Sequence, residues 1–258
     1  MMRPVVMAAA AMVLLIPGTA MALPSCAGPV EISDARLRQV EPDGSIVLVD
    51  GRRLHLEGVR LPSGALDRAP RAFGNQALTA LAALLRSGPL TLTALSPKED
   101  RYDRIRVQAF AGDEWVQGAL LDRGLARVWI APDRTECAPE LFAAEARARA
   151  ARAGLWSSPA YAIRNPSNLE SDTGTFQIVE GKVLDASVRN GRVYLNFGAD
   201  WRTDFTVTID PVDRGNFRGS GVDPTSYVGQ TVRVRGWVQS QNGPEIEVPN
   251  PQGIEVLQ

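Results

Sequence analysis

The chain has 258 residues, 45% apolar and 22% charged, the balance of an ordinary folded protein, which excludes disorder over most of its length. Its 28 lysines and arginines against 29 aspartates and glutamates give a formal charge of −1, so a polybasic coat holding nucleic acid by bulk charge is excluded. The single histidine, His55, excludes any multi-histidine metal site.

Met1-Met2-Arg3-Pro4 opens the chain, Val5 to Ile16 is apolar, and Pro17-Gly18 precedes Ala20-Met21-Ala22. A positive start, an apolar core of about 7–15 residues and a small-x-small site mark a secretory signal peptide. Residues 1–22 are therefore expected to be cleaved after Ala22 and the chain exported, to the periplasm or out of the cell. The run is too short to span a bilayer, and no later segment is apolar enough to do so. Leu23-Pro24-Ser25-Cys26 faintly resembles a lipid-attachment box, which leaves a lipoprotein as the lesser alternative; the proline beside the cleavage site argues against it. Cys26 and Cys137 are the only cysteines, and an even count in an exported chain reads as one disulfide.

Residues 40–156 carry strands and then helices. Ser45–Asp50 and Arg53–Val59 are short β-rich runs joined at Asp50-Gly51, a hairpin signal. Phe73–Arg86 places Ala77, Leu78, Leu81, Leu84 and Leu85 on one helical face, and Ser87-Gly88-Pro89 stops it. Leu90–Leu95 and Ile105–Ala111 read as strands, Trp115–Arg123 as a helix closed at Gly124, and Leu125–Ile130 as extended. Glu140–Ala153 is an Ala- and Arg-rich helix ending at Gly154, its Arg147, Arg149 and Arg152 read as a solvated face. Residues 157–174 lack an apolar period and read as a linker.

From residue 175 to 258 the pattern is all β. Phe176–Val183, Arg192–Phe197, Phe205–Ile209, Thr231–Val238, Glu245–Val248 and Ile254–Leu257 alternate or run apolar, with turns at Asn190-Gly191 and Asn242-Gly243-Pro244. Such a run of short strands suits a small barrel. Charge differs between the halves: +1 over 27–156 (18 basic, 17 acidic) and −3 over 157–258 (9 basic, 12 acidic).

Four stretches carry a resemblance: Leu54-His55-Leu56-Glu57-Gly58-Val59-Arg60-Leu61-Pro62, Asp100-Arg101-Tyr102-Asp103-Arg104, Ala119-Leu120-Leu121-Asp122-Arg123-Gly124-Leu125-Ala126, and Ala144-Glu145-Ala146-Arg147 running on to Gly154-Leu155-Trp156. In this order and spacing, about residues 40–156, within an expected domain at 27–156, resemble the staphylococcal-nuclease (thermonuclease-like) family. The resemblance implies a nuclease-type OB barrel with three helices; with the second, smaller OB-like β-barrel read from the strand count and order of residues 175–258, the expected fold class is mainly β, α+β.

Family enzymes hydrolyse phosphodiesters of DNA and RNA. They use two aspartates on a calcium ion, a glutamate that orients or deprotonates water, and two arginines that stabilise charge on the phosphate. Carried over by position, the calcium aspartates fall on Gly44 and Arg60, the glutamate on Ser63 and one arginine on His55. Only the second arginine has a match, Arg104, and the residue before it is Asp103 where the family usually has glycine. A guanidinium about 4 Å from a divalent ion, at an effective dielectric near 20, opposes it by roughly 8 kcal/mol. No cofactor is therefore expected, the calcium site reading as lost.

His55 has two readings, a general base or a strand residue whose neighbours Leu54 and Leu56 point to the opposite face. Arg104 either binds phosphate or forms a salt bridge to Asp100 or Asp103. Ser63 has no His or Asp partner in its motif and is not read as a nucleophile. In the second barrel Tyr194, Trp201 and Arg202 are candidates for stacking on bases, against the reading that the aromatics fill the barrel or cover its mouth. Asp200, Asp204, Asp210 and Asp213 fit no metal-loop spacing. The expectation is a non-catalytic binding or scaffolding module whose partner is an envelope protein or nucleic acid; the alternative is a weak or altered phosphodiesterase using Arg104, His55 and Asp43.

Overall fold

A computed structural model describes residues 24–200 and 202–257. The expected signal peptide and Trp201 lie outside the described residues.

The first half builds β1 (Val30–Ala35), β2 (Leu37–Val40), β3 (Ile46–Leu48), β4 (Arg53–Leu56), β5 (Val59–Arg60), β6 (Leu90–Thr93), β7 (Ile105–Ala111), β8 (Glu114–Trp115) and β9 (Arg127–Val128). Its helices are α1 (Arg71–Arg86), α2 (Val116–Asp122) and α3 (Ala138–Ala150). The strands run β1-β6-β7-β4-β3-β2 across one seven-stranded sheet, with β8 on β7, while β5 pairs β9 separately. All neighbours are antiparallel except β4 and β7. β1 and β2 are consecutive in the chain yet lie at opposite ends of this order. The sheet must therefore curl on itself, which is how a barrel removes its edges.

The second half contributes β10 (Phe176–Lys182), β11 (Asp185–Arg189), β12 (Arg192–Asn196), β13 (Thr206–Ile209), β14 (Thr231–Ser240), β15 (Pro244–Glu247) and β16 (Ile254–Val256). Their order is β10-β14-β15-β13-β12-β11, with β16 on β14. The wiring repeats that of the first half: a three-strand meander, a parallel step from β13 to β15, and consecutive strands, here β10 and β11, at the two ends. The half is not all β, because α4 (Arg214–Gly219) follows β13 where α1 follows the β4–β5 segment in the first barrel.

Each barrel closes on its own core. Ala77, Leu81, Leu84 and Leu85, the face read from the periodicity of α1, are buried in the first with Leu54, Leu56, Leu92 and Val107. Leu195, Phe197, Phe205 and Val207 fill the second. Gly124 closes α2: the Leu125 N–H reaches the Leu120 carbonyl and the Gly124 N–H the Leu121 carbonyl. Its φ is +62°, and a Cβ would lie 2.1 Å from the Ala153 carbonyl oxygen, so neither the turn nor the approach of the α3 exit admits a side chain. The Cys26–Cys137 disulfide is formed, tying the N-terminal segment to the start of α3.

The stretch between the barrels is bound to both. It contains short 3-10 turns at Pro159–Tyr161, Pro166–Asn168 and Glu170–Asp172. Arg164 pairs with Asp172 at 3.0 Å, and Arg68 of the first barrel donates to the carbonyls of Ser171 and Thr173.

Candidate functional site

Alternation along β4 sends Leu54 and Leu56 into the core and leaves His55 half-buried on the other face. The parallel neighbour β7 sets His55 in register with Arg106. Arg104, just before β7, donates from Nε to Asp100 Oδ2 at 2.8 Å and from Nη1 to Ser45 Oγ at 2.9 Å. Its Nη1 is 3.6 Å from Asp43 Oδ2, and its guanidinium lies 5.3 Å from the Tyr102 ring centre. Of the two acids named from the sequence, Asp100 is the partner. The turn before β3 delivers Ser45, fully buried, to this cluster, while Gly44 has a φ of +85°.

These contacts fix the charges. Burial works to raise the Asp43 carboxyl, but hydrogen bonds from the Ser45 N–H and hydroxyl, with Arg104 nearby, hold it below its ordinary value. Asp100 behaves alike: burial opposes ionisation, and hydrogen bonds from Arg104 outweigh it. Burial pushes the His55 imidazole below its ordinary 6.5, Glu57 and Asp100 pulling up and Arg104 and Arg106 pushing down. The imidazole makes no hydrogen bond among the described residues. Beside His55, on β7, Arg106 is held by both oxygens of Glu57 at 2.8 and 3.0 Å and by both of Asp133 at 2.7 and 3.0 Å.

The second group of positions lies between the barrels. Arg60 Nη2 is 2.7 Å from Asp67 Oδ1, with the two side chains 14% and 2% exposed. The Asp67 carboxylate also accepts from the Ser63 N–H at 2.9 Å and the Tyr161 hydroxyl at 3.2 Å, and ion-pairs with Arg127 at 2.8 Å. Burial, with the Asp67 charge adding to it, pushes the Tyr161 hydroxyl well above its ordinary value. The Arg60 guanidinium is 4.8 Å from the Trp237 ring centre and 5.5 Å from that of Phe176, both on the second barrel. Arg127 donates to the Phe176 carbonyl at 2.7 Å.

Gly44 and Arg60, the positions expected for calcium aspartates, bring no carboxylate to this arrangement. A hard cation needs several oxygen ligands. Here Arg60 places a guanidinium between the barrels, and the nearby buried Asp67 carboxylate has its lone pairs taken by protein donors. Ser63 offers its backbone N–H to that carboxylate. A Cβ on Gly44 would press to 3.0 Å from Leu61 at a φ that side chains rarely adopt. Among the described residues no group of three or more His, Cys, Asp or Glu side chains is disposed to hold a metal ion.

In the second barrel Tyr194 is half-buried on the outer face of β12, whereas Leu195 and Phe197 are core. Arg202 is exposed, 3.7 Å from Asp200. Trp201 lies outside the described residues.

Sequence reasoning missed Asp67, Arg127 and Tyr161, which come from a loop, a two-residue strand and the inter-barrel stretch. None carries a local pattern. It also passed over Glu57 and Arg106, though Glu57 directly follows β4, two positions after His55, and Arg106 lies on β7 in register with His55.

Residues 53–158 match the family described as staphylococcal nuclease homologue. Over 128 residues, 49% of this chain, the sequence is 32% identical to an uncharacterized 38.1 kDa protein of Capnoides sempervirens. That match spans only 35% of the relative, about a third of its length.

Proposed function

From a staphylococcal-nuclease-type domain at residues 53–158, we propose that this chain is an exported, non-catalytic binding or scaffolding module of the cell envelope. The observation that carries the reading is Arg60. At the position expected for a calcium aspartate, it is paired with Asp67 and covered by Phe176 and Trp237 of the second barrel. Hydrolysis of a phosphodiester needs charge stabilisation and a positioned water, and loss of each typically costs about 10²–10³ in rate or more.

Export rests on the N-terminal pattern and agrees with the Cys26–Cys137 disulfide. No described helix is long and apolar enough to cross a membrane. The partner on this reading is an envelope protein or a nucleic acid.

The rival is a weak phosphodiesterase, favoured by the convergence of Arg104, Asp43 and His55. Arg104 is already engaged by Asp100 and Ser45, so a phosphate would have to displace both. Purified mature protein incubated with single-stranded DNA or RNA, with calcium and with magnesium, decides between them. No turnover above a heat-killed control is expected; hydrolysis that disappears in Arg104→Ala would establish the rival.

A further inference from the structure

The second barrel carries a polar surface that nothing above uses. Strand register aligns Asp185, Asn196, Thr206 and Glu245 in one row across β11, β12, β13 and β15. The next row of the same face begins Ser187 and Tyr194. These side chains line a groove of about 470 Å³. Among the described residues, the side chains of Asp185, Ser187, Arg189, Tyr194, Gln241 and Asn242 make no hydrogen bond or ion pair to the protein.

Register continues the surface from Glu245 to Gln239 on β14. Gln239, with Glu247 and Trp237, lines a second hollow of about 280 Å³ where the barrels meet, and Trp129 of the first barrel closes it. Trp237 stacks on Arg60 yet stays 38% exposed. Groove and hollow are therefore two separate stations of one track along this sheet face, each with an aromatic ring, and Arg192 lies 3.8 Å from Glu245 of the one and from Glu247 of the other.

The chemistry of the track selects its ligand. Amides donate and accept at once, and hydroxyls and carboxylates accept, the complement of a ligand dense in hydroxyls. Tyrosine and tryptophan rings supply flat apolar surface for C–H faces. The charge is net negative, the wrong sign for phosphates: Asp185, Asp213, Glu245 and Glu247 line it against one cation unpaired among the described residues, Arg189, while Arg192 is taken by Asp210 at 2.5 Å and lies 3.8 Å from Glu245 and from Glu247, and Arg235 is taken by Glu145 at 3.0 Å. A polyanion meets repulsion there.

We propose that this outer face of the second barrel, from the Tyr194 groove to the Trp129–Trp237 hollow, binds an uncharged polysaccharide strand. The proposal names the ligand class of the binding-module reading and rests on that reading for its biological role.

The test is isothermal titration calorimetry of the mature chain with chitohexaose, cellohexaose and maltohexaose, and in parallel with oligothymidylate and an oligolysine peptide. One neutral sugar is expected to bind with little dependence on salt, since no counterions are released. Tyr194→Ala and Gln239→Ala should each weaken it about tenfold, with thermal unfolding unchanged. Absence of heat with all three sugars overturns the proposal. So does binding of oligothymidylate or oligolysine in place of the sugars, or sugar binding indifferent to both substitutions. A chain that cleaves nucleic acid yet binds sugar sinks only the non-catalytic reading; an inactive chain that binds no sugar sinks only this one.

Discussion

The guanidinium of Arg235, on β14, donates to both oxygens of Glu145, on α3, at 3.1 and 3.0 Å, with the two side chains 2% and 0% exposed. Glu145 also accepts the Val128 N–H at 2.8 Å, and Arg235 reaches Glu255 as well. Together with Arg60 and Asp67, this pair joins the barrels through buried charge. Such pairs contribute little over an apolar replacement, but removing one partner strands the other in a low-dielectric interior.

Glu145→Ala is accordingly expected to cost roughly 3–5 kcal/mol. Replacing both residues, as Glu145→Leu with Arg235→Met, should cost much less. Urea unfolding midpoints compare the two. A single variant indistinguishable from the parent would mean that the pair is effectively hydrated.

Asp67→Ala leaves Arg60 and Arg127 facing each other without their shared counter-ion, and a loss of about 3–5 kcal/mol follows on the same ground. The loosening should concentrate where Tyr161 and the inter-barrel stretch are held. Limited proteolysis is therefore expected to cut faster within residues 157–174 than in either barrel. Cutting that stays at the parent rate would place the restraint elsewhere, in the Arg68 and Arg164 contacts.

His55 gives a pH dependence with a defined sign. Burial lowers its pKa in the folded chain below the ordinary 6.5. As pH falls through 6.5 the unfolded chain takes up a proton that the folded chain refuses, so stability drops until the folded pKa is passed. Above 6.5 the contribution is fully present. Asp43 and Asp100, held below their ordinary 3.8, lose theirs only at lower pH, which separates the windows. Chemical denaturation between these ranges should show a slope that His55→Gln flattens. An unchanged slope in that variant would exclude the imidazole as its source.

The Cys26–Cys137 bridge links residues 111 apart in the chain. In the chain-entropy model a loop of about that length stabilises by up to roughly 4–5 kcal/mol. Reduction, or the double Cys26→Ser, Cys137→Ser variant, should lower the thermal midpoint clearly. Mass analysis without reductant should find no free thiol.

Much of this was legible from residue order alone, and the limits of what was legible have identifiable causes. α1 announces itself because Ala77, Leu81, Leu84 and Leu85 recur at helical spacing, and β12 because Leu195 alternates with Tyr194 and Asn196. β1 gave no signal: its register shifts twice, Asp34 takes a φ of +54°, and Val30 is 54% exposed, so alternation is broken. β11 shows no buried position at all, and α4, with two glycines and one buried phenylalanine, has no helical stripe.

Residue identity by itself determined that Gly44, Arg60 and Ser63, the positions where calcium ligands and a general base were expected, carry no carboxylate, and that Cys26 and Cys137 are the only two thiols that can pair. These depend on local chemistry, which a linear string contains. Only the tertiary structure decided that Arg60 is neutralised by Asp67 and roofed by Phe176 and Trp237, and that Glu57 meets Arg106. Burial and pairing are set by segments that meet after barrel closure, where low dielectric makes every unmatched charge costly, and no local pattern encodes which distant strand will supply the match.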